Sequence, residues 1–286
     1  MIENFAPGGK HRPGAAKEIW KTMLGHLREA VRSGLPPRFV HAYRVVRHTM
    51  LWPCEQEMVA ARQFLASDKV AVDVGANVGL FTAVLARHSK KVIAFEPNPA
   101  CAEHLMEVAP RNCEIIAKAV SDSEGTTVLR VPVDRDVPMH ALSTIEAANR
   151  HGTETRVTGF VTHSVETVTL DRTLLPSLSA ERVAFINIDA EGHEFAVLRG
   201  GEGLIAAHRP VLLVELEYRH GGAVAEVFDW LGARAYVPRA LTDGRTLAPV
   251  DPARLRDLQD GTRLARRLAG NRHSGYVNNI FFLPEA

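Results

Sequence analysis

Cysteine is scarce in this chain. Cys54, Cys101 and Cys113 are an odd set without C-x-x-C spacing, which argues against a disulfide framework or a thiolate zinc site and fits a reducing cytosol. Charge of one sign is lacking too. With 34 Lys and Arg against 33 Asp and Glu, the formal net charge is +1, so no whole-surface attraction to nucleic acid is expected. Nor is there a basic-aromatic interleave or an N-P-P-Y-like motif, so no nucleic-acid partner is expected. Long apolar runs are also missing. None approaches the ~20 residues that cross a bilayer, and the opening MIENFAPGGKHRPG has no apolar signal-peptide core. A cytoplasmic protein without a transmembrane segment is the expectation. Neither an internal repeat nor a low-complexity tract is present.

What is present centres on Val70 to Phe81, VAVDVGANVGLF. Val70, Ala71, Val72 and Val74 form the nearly continuous β-branched run of a strand buried on both faces of a parallel sheet. Gly75 and Gly79 bound a turn with torsions and close approaches that a Cβ would forbid, and helical spacing restarts at Leu80. Strand, tight turn and helix present free backbone N–H groups to a carboxylate or phosphate. A dinucleotide fingerprint would add a third glycine and put an apolar residue where Asp73 stands. The next apolar run, VIAF, ends in Glu96, an acceptor suited to both hydroxyls of a ribose. Asp73 at the preceding strand end needs a donor-rich or cationic partner, which an α-ammonium supplies. Amine, carboxylate and ribose together describe S-adenosylmethionine (SAM) better than NAD. Taken singly, Asp73 as a turn cap and Glu96 as a strand-end charge remain the alternative.

Before this stretch, residues 1–66 read as a loose arm and a helical extension. Ala15 to Val31 is amphipathic, and Phe39 to Trp52 suggests more helix or an apolar lid. The segment is basic, with Lys10, Arg12, Lys17, Lys21, Arg28, Arg32, Arg38, Arg44 and Arg47 against few acids, either a solvated face or a surface for an acidic substrate, a membrane or a partner. Residues 67–286 read as one domain. Glu55–Leu65 suggests a helix, and Pro99–Val108 another. A third strand over Ile115–Val120 delivers Ser121 and Asp122 to the working edge, placed for an adenine amino group or simply for a turn. Repeated β-α-β implies a parallel sheet. Thr126–Val133 is an extra strand. Asp134 to Phe160 loses apolar periodicity and is expected to face substrate. Val165–Leu170 alternates as a strand, after which Asp171 is expected to cap a short helix. Val183–Ile188 is again a buried strand. It delivers Asp189-Ala-Glu-Gly-His-Glu194, three carboxylates and an imidazole in six residues, to the edge where open α/β sheets bind ligands. Val211–Val214 leads to Glu215 and Glu217, with His220 just beyond. Further elements are expected at Val224–Leu231, Ala233–Val237, Leu255–Leu268 and Tyr276–Leu283.

At Asp73-Val-Gly-Ala-Asn-Val-Gly79, Glu96-Pro97, Val168-Thr-Leu-Asp171 and Ile188-Asp-Ala-Glu-Gly-His-Glu194 the chain resembles the FkbM family of SAM-dependent methyltransferases, with a fainter echo at Asn278–Phe282. The resemblance implies an α/β class I methyltransferase sheet, Rossmann-like, of seven strands with the last antiparallel. It also implies methylation of an oxygen on a sugar, glycolipid, polysaccharide or polyketide-type molecule. Cofactor contacts are then expected from Asp73, Gly75, Ala76, Asn77, Gly79, Glu96, Ser121, Asp122 and Asp189. An aliphatic hydroxyl needs a base during transfer, and Asp189, His193 and Glu191 are the candidates. Asp189 with Glu215 or Glu217 would equally suit Mg²⁺, whereas Glu191 and Glu194 would equally suit backbone N–H groups of the following helix. A nucleotide-binding oxidoreductase and a non-catalytic partner-binding protein are the competing readings.

Overall fold

The computed structural model describes residues 36–46, 56–147, 149, 157–178, 181–221, 223–242, 246–268 and 274–285. The amphipathic stretch Ala15–Val31, the segment around Trp52, and Cys54 lie outside them. Helices α1 (Pro37–Val46) and α2 (Gln56–Ala61) precede β1 (Val70–Val74). There follow α3 (Leu80–His88), β2 (Lys91–Phe95), α4 (Pro99–Val108), β3 (Cys113–Ile116), β4 (Ala119–Val120), β5 (Gly125–Asp134), β6 (Val137–Pro138), β7 (Gly159–Val168) and α5 (Leu170–Leu174). The last part comprises β8 (Val183–Ile188), α6 (Glu194–Arg199), α7 (Glu202–His208), β9 (Val211–Glu215), α8 (Val224–Gly232), β10 (Tyr236–Leu241), β11 (Leu247–Pro249), α9 (Pro252–Leu258), α10 (Gly261–Leu268) and β12 (Asn279–Pro284).

The main sheet runs β11-β10-β12-β9-β8-β1-β2-β3. β12, last in the chain, is antiparallel to both β9 and β10, while β9, β8, β1, β2 and β3 are parallel. The antiparallel last strand is as expected, with one addition to the sheet. β11 pairs antiparallel to β10, so the sheet has eight strands rather than seven. All five residues of β1 are buried, because Val70, Val72 and Val74 pack on one face with Ile186, Ile188 and Leu198 while Ala71 joins Phe185, Phe81 and Phe281 on the other. Two covered faces account for the unbroken apolar run.

A second sheet, β4-β7-β5-β6, stands over the carboxyl edge of the first. Its presence corrects the reading of Ile115–Val120 as one strand. Lys118 N–H donates to Ile116 O at 2.9 Å, and that turn ends β3 in the main sheet and sends β4 to pair with β7. The stretch from Asp134 to Phe160 is not loop alone. It holds the β5–β6 hairpin, a 3₁₀ turn at His140–Leu142 and the start of β7. Leu255–Leu268, expected as one helix, is split between α9 and α10, and Asp260 accepts from Arg263 N–H at 2.9 Å at the break. Among the described residues no helix is long and apolar enough to cross a membrane.

Candidate active site

The turn after β1 is set by contact as much as by torsion. Gly75 and Gly79 both have φ +80°. A Cβ on Gly75 would lie 1.8 Å from Asp189 O, and one on Gly79 would lie 2.2 Å from Leu105 Cδ1. The β1 and β8 turns therefore touch through backbone, and the space on either side is open. One side is a cleft. It is bounded by Gly75, Asn77, Glu96, Lys118 to Val120, His140, Ala141, Ser143 to Ile145, and Asp189 to His193 except Gly192. The other side is bounded by Asp73, Ala76, Asn187, Asp189 and Glu215. Asp189 borders both.

Asp73 is fully buried. Oδ2 accepts from Thr82 Oγ1 at 2.6 Å and Oδ1 from Asn187 Nδ2 at 2.9 Å. Burial raises its pKa, and these two bonds oppose the rise. Each oxygen keeps a further lone pair. Glu96 is held by backbone: Oε2 accepts from Asn77 N–H at 2.6 Å and Oε1 from Asn98 N–H at 2.8 Å. Burial lifts its pKa to about 7 in spite of both bonds. Asn77 sits at φ +49°, a torsion Asn tolerates better than most residues, and this aims its N–H at Glu96. Cradle, fixed acceptor and free lone pairs fit the ribose and amino-acid ends of SAM.

Ser121 and Asp122 are less free than their position suggests. Asp122 is ion-paired with Arg199, and Ser121 Oγ lies 3.0 Å from His193 Nε2. His193 Nδ1 is 3.1 Å from Glu146 Oε2. The imidazole thus braces the β4 end against the 140s loop with both nitrogens engaged. Glu194 takes the structural assignment, accepting from Ala190 N–H at 3.1 Å and Gly192 N–H at 2.8 Å. Burial lifts its pKa to about 7.

Beneath the Asp189–Glu194 turn lies a buried acidic cluster. Glu191 and Glu215 both have pKa values well above the usual carboxylate range. Burial is the main cause, followed for Glu191 by Glu215 and Glu217, and for Glu215 by the Asp189 carboxylate. Glu217 is engaged by Arg219, by Tyr276 Oη at 3.1 Å and by Asn278 Nδ2 at 2.9 Å. Among the described residues, a trio whose ligand atoms converge is Glu191, Glu215 and His220. Sequence reasoning missed Thr82, Asn187, Glu146 and Arg219, and gave Asn278 no role; each acts by holding an acid or an imidazole already noticed.

A family model described as the methyltransferase FkbM domain matches residues 73–238, more than half of the chain. The chain belongs to the FkbM methyltransferase family. Methyltransferase sdnD of Sordaria araneosa is 30% identical over 159 residues, which is 48% of this chain and 61% of that protein. The chain therefore spans less than two thirds of that relative's length. Methyltransferase FkbM from Methylobacillus flagellatus KT has 15% identity and a TM-score of 0.43, covering 93% of this chain and 60% of that one. SMU.1697c from Streptococcus mutans, solved in complex with SAH, has 11% identity and a TM-score of 0.41 over 80% and 96%.

Two FkbM segments have local explanations in this chain. In T-L-D, Thr169 Oγ1 accepts from Arg172 N–H at 3.2 Å and caps α5. Asp171 does not cap α5 as expected. It accepts from Gly203 N–H at 2.8 Å and Leu204 N–H at 2.7 Å and so caps the next-but-one helix, α7. In D-x-E-G-x-E, Glu191 at φ +50° and Gly192 at φ +101° turn the chain, and the final Glu ties the turn's N–H groups together.

Proposed function

We propose that this chain is a SAM-dependent O-methyltransferase. The observation that carries the reading is Glu96, clamped by Asn77 and Asn98 N–H at the wall of a cleft floored by the Gly75–Asp189 contact. When bound, SAM supplies an electrophilic methyl group on a sulfonium, so the chain's task is alignment, worth as much as ~7–11 kcal/mol of barrier. Glu96 receives the ribose hydroxyls, Ala76, Asn77 and Gly79 shape the turn, and Asp73 with Thr82 and Asn187 anchors the amino-acid end. Val120, Ser121 and Asp122 would hold the adenine.

The acceptor is a hydroxyl of a sugar, glycolipid, polysaccharide or polyketide-type small molecule. An alcohol needs its proton taken during transfer, and a base contributes about 10²–10⁴-fold. Asp189 has the position for this, since it borders both sides of the cleft. The Asp189 carboxylate would take the acceptor's hydroxyl proton during the transfer. His193, with both ring nitrogens occupied, positions the turn that carries Asp189. An extract screen with labelled methyl donor, followed by mass spectrometry, tests the assignment. The expected result is an O-methylated product formed by the wild type and lost in Asp189→Asn, with S-adenosylhomocysteine binding kept. Methyl transfer to nitrogen or to RNA would count against it.

A further inference from the structure

We infer that Glu191, Glu215 and His220 form a binding site for one divalent cation beneath the Asp189–Glu194 turn. A carboxylate oxygen from each Glu and a ring nitrogen of His220 all lie within 4.8 Å of one another. Ligands of an octahedral ion with bonds of ~2.1 Å stand ~3 Å apart when adjacent and ~4.2 Å apart when opposite, and the 3.3 Å between Glu191 Oε2 and His220 Nε2 falls in that range. Two carboxylate oxygens and one imidazole suit a borderline-hard divalent metal such as Mn²⁺.

An independent observation comes from Glu191 itself. The residue is 8% exposed, and its Oε2 is buried with no hydrogen-bond partner. That oxygen is 3.3 Å from His220 Nε2, yet the two do not form a hydrogen bond. They form an ion pair only if the imidazole is protonated. A buried carboxylate oxygen without a hydrogen bond is costly, and a bound ion is one of the few ways to recover that cost.

The surroundings hold the three ligands in place. Thr144 Oγ1 and Asn149 Nδ2 donate to Glu191 O at 2.8 and 2.7 Å, fixing the backbone that carries its side chain. Asn278 donates to both Glu215 and Glu217. Orienting groups of this sort accompany metal ligands. Asp189, Glu194 and Glu217 add negative charge around the trio, while Arg219 is bound to Glu217. A divalent ion would supply the missing positive charge.

The test uses the untagged full chain without SAM or acceptor, so its failure would leave the methyl-transfer reading standing. Mn²⁺ titration followed by electron paramagnetic resonance should show one equivalent bound, with a nitrogen coupling in the spin-echo spectrum. Glu191→Gln and His220→Gln should each weaken binding by more than about tenfold. Any Mn²⁺ retained by His220→Gln should lack the nitrogen coupling. Glu226→Gln, on the exposed side of α8, should bind as the wild type does. No binding at millimolar Mn²⁺, undiminished binding in both ligand variants, or a wild-type spectrum without nitrogen coupling would overturn the site. If either variant fails to fold, the wild-type nitrogen coupling alone decides.

Discussion

At Gly75 a single missing methyl group keeps two turns together. With a Cβ 1.8 Å from Asp189 O and φ at +80°, Gly75→Ala must either push β8's turn away or move the torsion to a common one. Strained torsions alone cost ~1–3 kcal/mol, so the variant should lower the melting temperature. It should also reduce S-adenosylhomocysteine affinity, measured by titration calorimetry. Glu96 gives a prediction with a sign. Ribose hydroxyls donate to the ionised carboxylate, so binding must displace the proton that burial retains up to about pH 7. Affinity should therefore fall as pH drops below that value, approaching ~10-fold per pH unit. Glu96→Gln should bind weakly and lose this dependence. Equal pH slopes in the two proteins would remove Glu96 from the ribose.

Among the elements, α5 and α7 depend on one short motif. Thr169→Ala removes the cap of α5 and should cost ~1 kcal/mol in urea unfolding. Asp171→Ala leaves Gly203 and Leu204 N–H without their acceptor and should cost more, ~1–3 kcal/mol. Asp171→Asn, which keeps one acceptor oxygen, should recover part of the loss. The order of these effects distinguishes a cap on α7 from the cap on α5 that chain position alone suggests. At Ser121, Gly200 plays the part that Gly75 plays at Asp189, since a Cβ there would come 2.0 Å from Ser121 O.

For the whole molecule, buried acids set the pH dependence of stability. Glu96 and Glu194 move from 4.5 in the open chain to about 7 when folded. Between those values the folded protein binds the extra protons, so their contribution is complete below pH 4.5 and is lost as pH rises through about 7. Each group contributes at most ~1.4 kcal/mol per pH unit over that interval. The ligand-free protein should melt at progressively lower temperature across it, and Glu194→Gln should flatten the trend. A melting temperature that climbs over the same interval would contradict the burial of these two carboxyls.

Local pattern settled the alternation of strand and helix from Val70 to Val108, the buried strands at Val183–Ile188 and Val211–Val214, the two glycines at the first turn, and the acids carried to one edge. Each is a short-range property: β-branched runs buried on both faces, torsions open to glycine, and strand ends that share a side in parallel β-α-β units. Only the tertiary structure decided which acids have partners. Thr82 and Asn187 reach Asp73 from a helix and a neighbouring strand, Asn278 reaches Glu215 from the far end of the chain, and Glu146 reaches His193 from the 140s loop. Cross-strand register and the closing of long loops determine these contacts, and no spacing within the chain encodes them. The second sheet has the same origin, because one turn at Lys118 redirects a run that is apolar on both sides of it.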